Sequence, residues 1–232
     1  MSRAEELEAN LTAVRARIDA ACSEAGRPVG DVGLVVVTKY FPASDVRVLA
    51  GLGVRELGEN KHQEASAKAE ECADLDVDWH FIGSIQSNKA AAVARYAAVV
   101  ESVDRLKLVG PLARGAQEAG RVVTCLVQVS LDPTPTAARG GVAPAEVGAL
   151  ADAIGGTPGL RLGGLMAVAP LDLPALPAFE RLAAAAASLR ADHPGATTIS
   201  AGMSGDLEEA VKCGATHVRV GSAVLGPRPS IQ

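Results

Sequence analysis

Residues 199–226 read ISAGMSGDLEEAVKCGATHVRVGSAVLG. An apolar, β-branched run over Thr197–Ser200 predicts a strand, Ser204–Lys212 has the apolar spacing of a helix, and His217–Val220 predicts a second strand. A strand, a helix and a second strand in this order form a right-handed parallel crossover. This stretch therefore predicts an α/β protein with a parallel sheet.

The same alternation continues towards the N-terminus. The other predicted strands are Leu34–Thr38, Val54–Leu57, Trp79–Ile82, Ala97–Glu101, Val122–Val129 and Arg161–Ala167. The predicted helices between them are Ala43–Leu52, Lys61–Cys72, Ser87–Tyr96, Asp104–Ala119, Pro144–Ile154 and Pro174–Arg190. Eight strands favour a single (β/α)8 TIM barrel, which typically needs about 250 residues. A doubly wound open sheet is the alternative.

An additional amphipathic helix is predicted ahead of the barrel, over residues 2–24. Ser2 and Glu5 form an S-x-x-E capping box, and apolar residues follow at helical spacing. We expect residues 1–26 to pack on the barrel. No change in composition divides the chain, so residues 1–232 are predicted to form one domain. Residues 131–142, LDPTPTAARGGV, are predicted to form a flexible surface loop.

Composition and charge argue against several classes of function. The formal net charge is −5 and the basic residues are scattered, which argues against a nucleic-acid partner or an anionic membrane. No stretch approaches the roughly 20 apolar residues of a membrane span. The N-terminus carries Glu5, Glu6 and Glu8 rather than the positive charge of a signal peptide. We therefore expect a cytoplasmic protein.

Lys39 is the first candidate for chemistry, because it closes the run LVVVTK. Side chains alternate along a strand, so Lys39 shares a face with Val35 and Val37. If that face lies inside the barrel, Lys39 projects into the mouth at the C-terminal ends of the strands, where barrel active sites lie. A partly desolvated lysine there suits Schiff-base chemistry. The alternative is a lysine that reaches from the strand end into solvent.

The turns after the last two predicted strands indicate a phosphate site. Gly202 and Gly221 let the backbone approach an anion closely, and Ser204 and Ser222 lie where helices begin and N–H groups are free. By alternation, Arg219 points into the barrel below these glycines. A lysine facing a phosphate cradle suits a phosphorylated aldehyde or ketone. This pattern alone does not separate pyridoxal 5'-phosphate (PLP) from a sugar phosphate.

Other polar residues at strand ends allow two interpretations each. Asn60 follows a predicted strand within GEN, where it either caps the next helix or contacts a ligand. His80 lies in an apolar strand, where a histidine is more often hydrogen-bonded in place than catalytic. Gln86 and Asn88 either face the mouth or cap the next helix.

These segments together resemble the pyridoxal phosphate homeostasis protein family, relatives of the N-terminal domain of alanine racemases. The matching segments are VVVTKYFP (35–42), LGENKHQE (57–64), WHFIGSIQSNK (79–89), ESVDR (101–105), LGGLMAV (162–168) and the stretch 199–226. The resemblance implies a Schiff base between PLP and Lys39, with Asn60 near the cofactor, Met166 against its ring and Arg219 at its pyridine nitrogen. The residues that it places around the phosphate are Ser200, Gly202, Met203, Ser204, Gly221 and Ser222.

The chain departs from the family pattern at Ala201, at Tyr40 and Phe41 after the lysine, and at Arg139 in the glycine loop. Alanine racemases add a second domain and a catalytic tyrosine from the partner subunit, for which Tyr40 and Tyr96 are no evident counterpart. We therefore expect a monomeric PLP carrier that acts in PLP homeostasis and serves PLP-dependent apo-enzymes. The alternatives are a PLP-dependent amino-acid racemase and an aldolase-like barrel that acts on a sugar phosphate.

Overall fold

Eight parallel strands close into a barrel in the computed structural model, which describes residues 2–132, 140–170 and 172–228. Numbered β1 to β8, the strands are Gly33–Val37, Glu56–Glu59, Asp78–Phe81, Val99–Val103, Val123–Gln128, Leu160–Met166, Thr198–Ser200 and His217–Val220. Each strand pairs in parallel with the next, and β8 closes on β1, with Val35 in register with Arg219. The predicted (β/α)8 barrel is confirmed, and the alternative of an open sheet is wrong.

Helices alternate with the strands. In the described part of the chain, α1 to α9 are Arg3–Glu24, Ala43–Gly51, His62–Glu71, Ala90–Ala94, Val109–Glu118, Val147–Gly155, Ala175–Asp192, Leu207–Lys212 and Ser222–Leu225. Short 3₁₀ turns at Leu106–Leu108 and Pro144–Glu146 lead into α5 and α6. Of the predicted surface loop, residues 133–139, with Arg139, lie outside the described residues.

Two hydrophobic clusters fill the layer between the strands and the helices. One joins Val36, Val218 and Val220 to α1, α2, α8 and α9, and the other joins Val100 and Val127 to α4, α5, α6 and α7. Successive side chains on a strand point to opposite faces, so the residues between these positions point into the barrel. The interior of the barrel is therefore filled by a different set of side chains, several of them charged.

The predicted additional helix, α1, begins with the predicted capping box. The Ser2 hydroxyl accepts from the Glu5 N–H at 3.3 Å, and the Glu5 carboxylate accepts from the Ser2 N–H at 2.7 Å. Helix α1 packs on α8 and α9, and Asn10 donates to the Val224 carbonyl at 2.9 Å. The apolar face of α1 covers the outer surface of β8 and β1. None of the helices described is long and apolar enough to cross a membrane.

Some boundaries differ from the predictions because tertiary contacts override local pattern. Strand β2 is Glu56–Glu59, two residues beyond the predicted Val54–Leu57, because its backbone pairs with β3 from Glu56–Asp78 to Glu59–Phe81. Helix α8 begins at Leu207, whereas the prediction had it begin at Ser204. There the Asp206 carboxylate accepts from the Met203 N–H at 2.6 Å, which keeps residues 204–206 in a turn.

Candidate functional site

A cavity of about 260 Å³ opens at the C-terminal ends of β1 and β8. Six of the ten predicted site residues line it: Lys39, Met203, Ser204, Arg219, Gly221 and Ser222. The other four, which are Asn60, Met166, Ser200 and Gly202, do not line it. No carboxylate lies among its described lining residues. The cavity is therefore basic, with one amine and two guanidinium groups, those of Arg219 and Arg228.

Lys39 lies in a tight turn just beyond β1. The strand ends at Val37, one residue before the predicted Thr38, and the Phe41 N–H closes the turn on the Thr38 carbonyl at 3.0 Å. Val35 and Val37 face the barrel interior, as expected, next to the Cα of Gly58. Lys39 is half-buried, and its amine has no hydrogen bond or ion pair within the described residues. It is thus free to meet a ligand in the cavity.

Tyr40, the next residue of the turn, has a left-handed backbone. Its φ is +72°, a conformation that glycine adopts readily and a side chain with Cβ does not. Its ring lines the cavity, with the Lys61 ammonium 5.3 Å and the Arg228 guanidinium 5.0 Å from the ring centroid. A strained residue beside the candidate nucleophile indicates that surrounding contacts hold this turn in place.

A buried ionic cluster lies behind the turn. The Lys68 ammonium, on α3, donates to the Thr38 carbonyl at 2.8 Å and to the carboxylates of Glu59 and Glu64 at 2.7 Å each. The Thr38 hydroxyl donates to Glu59 at 2.7 Å, and the Tyr40 N–H donates to Glu64 at 2.5 Å. Burial raises the pKa of Glu59 above its ordinary value, and Lys68 and Thr38 only partly oppose this. The sequence pattern alone does not reveal this cluster.

The predicted phosphate residues fall into two groups. Ser222 begins α9 directly after Gly221, as predicted, and the first N–H groups of a helix have no partner inside it. Ser204 also lines the cavity, although it lies in a turn rather than at the start of α8. Gly202 has φ +91° and packs against α8, where an added Cβ would lie 2.6 Å from that of Ala210. A side chain at Gly202 is therefore excluded by packing, independently of any ligand.

Arg219 projects from β8 into the barrel, as predicted, and is 4% exposed. Its guanidinium donates to the Ser200 hydroxyl at 2.6 Å and to the Ala167 carbonyl at 2.8 Å. Burial lowers the pKa of Arg219, and the neighbouring Glu101 partly offsets this. The Ser200 hydroxyl in turn donates to Glu101 at 2.6 Å. The Ser200 hydroxyl therefore bridges the Arg219 guanidinium and the Glu101 carboxylate.

His80 and Glu101 form a buried pair beneath Arg219. The His80 Nδ1 lies 2.7 Å from a Glu101 carboxylate oxygen, and the other oxygen lies 3.6 Å from Arg219. Burial would raise the pKa of Glu101, but His80 and Arg219 together lower it below its ordinary value. Burial would likewise lower the pKa of His80, but Glu101 and Glu56 raise it. The hydrogen-bonded interpretation of His80 agrees with this geometry.

Asn60 lies in a separate cavity of about 210 Å³ between the ends of β2 and β3. Lys61, Gln86 and Lys89 line that cavity with it. The predicted capping role of Asn60 is not seen, because Lys61 precedes α3 and no side chain caps the helix. The Asn60 Oδ1 is buried without a hydrogen-bond partner. Met166 is also removed from the Lys39 cavity: it ends β6 in register with Ser200 and is 1% exposed.

The residues that sequence reasoning missed are mostly acids and their partners. Glu101 left a signal, a charge at the end of an apolar predicted strand, and the Glu64–Lys68 spacing of four residues on a helix left another. Neither signal reveals a partner that is distant in sequence. Thr38 and Lys68 are 30 residues apart, and Glu101 and Ser200 are 99 apart.

The barrel, the lysine turn after β1 and the glycine turns after β7 and β8 define a barrel of the alanine racemase N-terminal type. The chain matches the family described as alanine racemase, N-terminal domain, over residues 9–229. It is 44% identical to the pyridoxal phosphate homeostasis protein of Mycobacterium tuberculosis (strain ATCC 25618 / H37Rv), over 97% of this chain and 94% of that protein. The protein of the same name from Escherichia coli (strain K12) is 35% identical, over 94% and 95%. The chain therefore belongs to the pyridoxal phosphate homeostasis protein family.

Solved structures agree with this assignment. PipY of Synechococcus elongatus PCC7942, in a structure with PLP bound, is 34% identical, with a TM-score of 0.82 over 95% of this chain and 100% of that chain. Alanine racemase from Corynebacterium glutamicum shares the fold at 15% identity, with a TM-score of 0.69 over 99% of this chain and 63% of that chain. The predicted alanine racemase N-terminal-domain type of barrel is confirmed.

Proposed function

We propose that this protein binds PLP reversibly as a Schiff base on Lys39 and acts as a carrier or buffer in intracellular PLP homeostasis. The observation that carries the proposal is one basic cavity in which the free Lys39 amine, Arg219 and the turns of Ser204 and Ser222 meet. The relatives named as homeostasis proteins and the PLP-bound structure of PipY support it.

The lining residues fit PLP in charge and chemistry. When bound, PLP supplies an aldehyde carbon that condenses with amines. The Lys39 nitrogen would add to that carbon, a C=N bond would replace the C=O bond, and the oxygen would leave as water. Ser204, Gly221 and Ser222 would hold the phosphate. At Gly221 an added Cβ would lie 3.2 Å from the Val37 carbonyl oxygen, so the turn after β8 packs closely against the end of β1.

Arg219 would face the pyridine nitrogen. The guanidinium is fixed by Ser200 and the Ala167 carbonyl, and Glu101 stabilises its charge. A cation at this place disfavours protonation of the pyridine nitrogen, and the neutral ring withdraws electrons only weakly. This arrangement favours holding the cofactor over carbanion chemistry. Neither Asn60 nor Met166 lines the cavity, so their effect on the bound cofactor would be indirect.

A titration with PLP tests this proposal. We expect wild-type protein to develop the visible absorbance of a Schiff base, and Lys39→Ala to lose it. Inorganic phosphate should compete, and Lys212→Met, an exposed lysine on α8, should behave as wild type. Addition of a PLP-dependent apo-enzyme should deplete the absorbance as that enzyme gains activity. Equal absorbance in wild type and Lys39→Ala would contradict the assignment of Lys39.

A PLP-dependent amino-acid racemase is the second candidate, and one observation favours it. Tyr40 lines the same cavity as Lys39, so a phenol is present beside the candidate cofactor amine. Turnover of a free amino acid that is lost in both Lys39→Ala and Tyr40→Phe would favour the racemase. Full PLP binding without turnover in wild type would favour the carrier.

We further propose that the protein acts in the cytoplasm as a monomer, with residues 1–232 forming one domain. The packing of α1 on α8 and α9 supports a single unit. Size-exclusion chromatography with light scattering gives the mass in solution directly. A dimer mass would contradict the monomer.

A further inference from the structure

In the described part of the chain, one buried cation, Lys68, contacts the turn that carries Lys39. Lys68 is 6% exposed, and its ammonium uses three short hydrogen bonds, to the Thr38 carbonyl and to the carboxylates of Glu59 and Glu64. An ammonium has three donors. All three are therefore spent on the residues that frame the Lys39 turn.

Both sides of Lys39 are tied to this cluster. On one side, the Thr38 carbonyl binds Lys68 and the Thr38 hydroxyl binds Glu59. On the other, the Tyr40 N–H binds Glu64, which fixes a residue whose φ of +72° is unfavourable. The peptide groups that flank Lys39 are thus immobilised while its own amine is left without a partner within the described residues.

The distribution of charge around Lys39 follows from the same contacts. Among the described residues, the ionisable groups that line its cavity besides Lys39 are Tyr40, Arg219 and Arg228, and none is a carboxylate. The Lys61 ammonium lies 5.3 Å from the Tyr40 ring centroid. The two carboxylates that touch the turn, Glu59 and Glu64, are both directed to Lys68. A lysine paired with a carboxylate is held as the ammonium, which does not attack an aldehyde.

We propose that Lys68 is a positioning residue for Lys39: it binds the two acids behind the turn, so the turn is fixed and the Lys39 amine has no acidic partner. The role in catching an aldehyde rests on the proposed function, whereas the effect on Lys39 itself does not require PLP. Lys68 acts through Thr38, Glu59 and Glu64, and does not touch the cavity.

Two substitutions should move the reactivity of Lys39 in opposite directions. Lys68→Met leaves the partly exposed Glu64 next to the turn without its cation, while buried Glu59 should take up a proton, so acylation of Lys39 should need a higher pH. Glu64→Gln keeps the shape but removes one negative charge, so Lys39 should lose its proton at lower pH. Each charge change should act on Lys39 measurably, because charges in the interior are screened less than charges in water. If the cluster only stabilised the fold, the two substitutions would not shift the pH midpoint of Lys39 labelling in opposite directions.

Competitive labelling with acetic anhydride measures this without PLP. The protein is labelled across a range of pH, digested, and the labelled fraction of the Lys39 peptide is read by mass. We expect the pH midpoint of Lys39 labelling to rise in Lys68→Met, to fall in Glu64→Gln and to stay unchanged in Lys212→Met. Glu64 is half-buried and its replacement keeps shape, so this arm stands even if Lys68→Met does not fold.

The same variants are then tested for PLP binding by absorbance. We expect Lys68→Met to form the Schiff base more slowly than wild type near neutral pH, because only the neutral amine attacks the aldehyde. Unchanged labelling midpoints in Glu64→Gln and Lys68→Met would overturn the role of Lys68. Shifted midpoints together with no Lys39-dependent absorbance in wild type would overturn the proposed function instead and leave the role of Lys68 intact.

Discussion

Replacement of Glu101 by Gln should destabilise the protein in a pH-dependent way. The Glu101 carboxylate is 1% exposed and neutralises two buried cations, His80 at 2.7 Å and Arg219 at 3.6 Å. Loss of one partner from a buried ion pair typically costs about 3–5 kcal/mol, because the remaining charge is left without compensation. We expect a loss of this size in the free energy of unfolding at about pH 5.5, where an ordinary histidine is charged.

At higher pH the loss should be smaller, because His80 can release its proton. In wild type the pKa of His80 is raised in the folded state, so its stabilising effect is fully present below the ordinary pKa of 6.5 and disappears as the pH rises through the folded value. Without Glu101, burial should lower the pKa of His80, with Glu56 at 3.9 Å opposing part of this effect. The variant should then gain stability as the pH rises towards the ordinary pKa of 6.5, whereas wild type loses stability above it. Each unit of the difference in pKa corresponds to about 1.4 kcal/mol.

Urea unfolding followed by circular dichroism at about pH 5.5 and about pH 9 measures both values. Glu118→Gln is the control, since Glu118 pairs with Arg95 at the surface and its loss should cost at most about 1 kcal/mol at either pH. An equal loss at both pH values in Glu101→Gln would refute the charged state assigned to His80. A loss below about 1 kcal/mol would refute the ion-pair account of the barrel interior.

Three further predictions concern backbone and charge. Gly115→Ala should lower the free energy of unfolding by about 1–3 kcal/mol, because the new Cβ would lie 2.0 Å from the Ala91 carbonyl oxygen. Gly110→Ala in the same helix meets open space, so it should raise the free energy of unfolding by up to about 1 kcal/mol. Urea titrations measure both changes. Tyr40→Gly should be more stable than Tyr40→Ala by about 1 kcal/mol in thermal unfolding, because only glycine adopts the positive φ freely; equal stability would contradict the strained turn. Arg219→Gln should change the absorbance of bound PLP more than the competition by inorganic phosphate, and an unchanged spectrum would count against Arg219 at the pyridine nitrogen.

The barrel could be predicted because its signals are local. Apolar runs such as LVVVTK alternate with helical periods, and the predicted strands Thr197–Ser200 and His217–Val220 have limits that are correct to within one residue. The alternation of Val35, Val37 and Lys39 also led to the correct face of β1, because Gly58 meets both valines inside the barrel. Lys39 still lines the cavity although the strand ends before it.

The surroundings of the site could not be predicted, because they depend on pairs that are distant in the chain. Ser200 lies next to the predicted phosphate glycines in sequence, yet its hydroxyl faces the interior, where Glu101 and Arg219 engage it. Local pattern suggests a helix start at Ser204, whereas a single hydrogen bond from Met203 to Asp206 delays it. Whether a residue at the end of a strand lines the cavity thus depends on the register of that strand with its neighbours, which a single sequence does not reveal.

Chemical trapping of the cofactor shows directly whether PLP binds at Lys39. Purified protein is mixed with PLP, reduced with borohydride and digested, and the modified peptide is identified by mass. We expect a pyridoxyl adduct on Lys39 that disappears in Lys39→Ala. No adduct, or an adduct spread over Lys61, Lys89 and Lys107, would contradict it and would require a different ligand for the cavity.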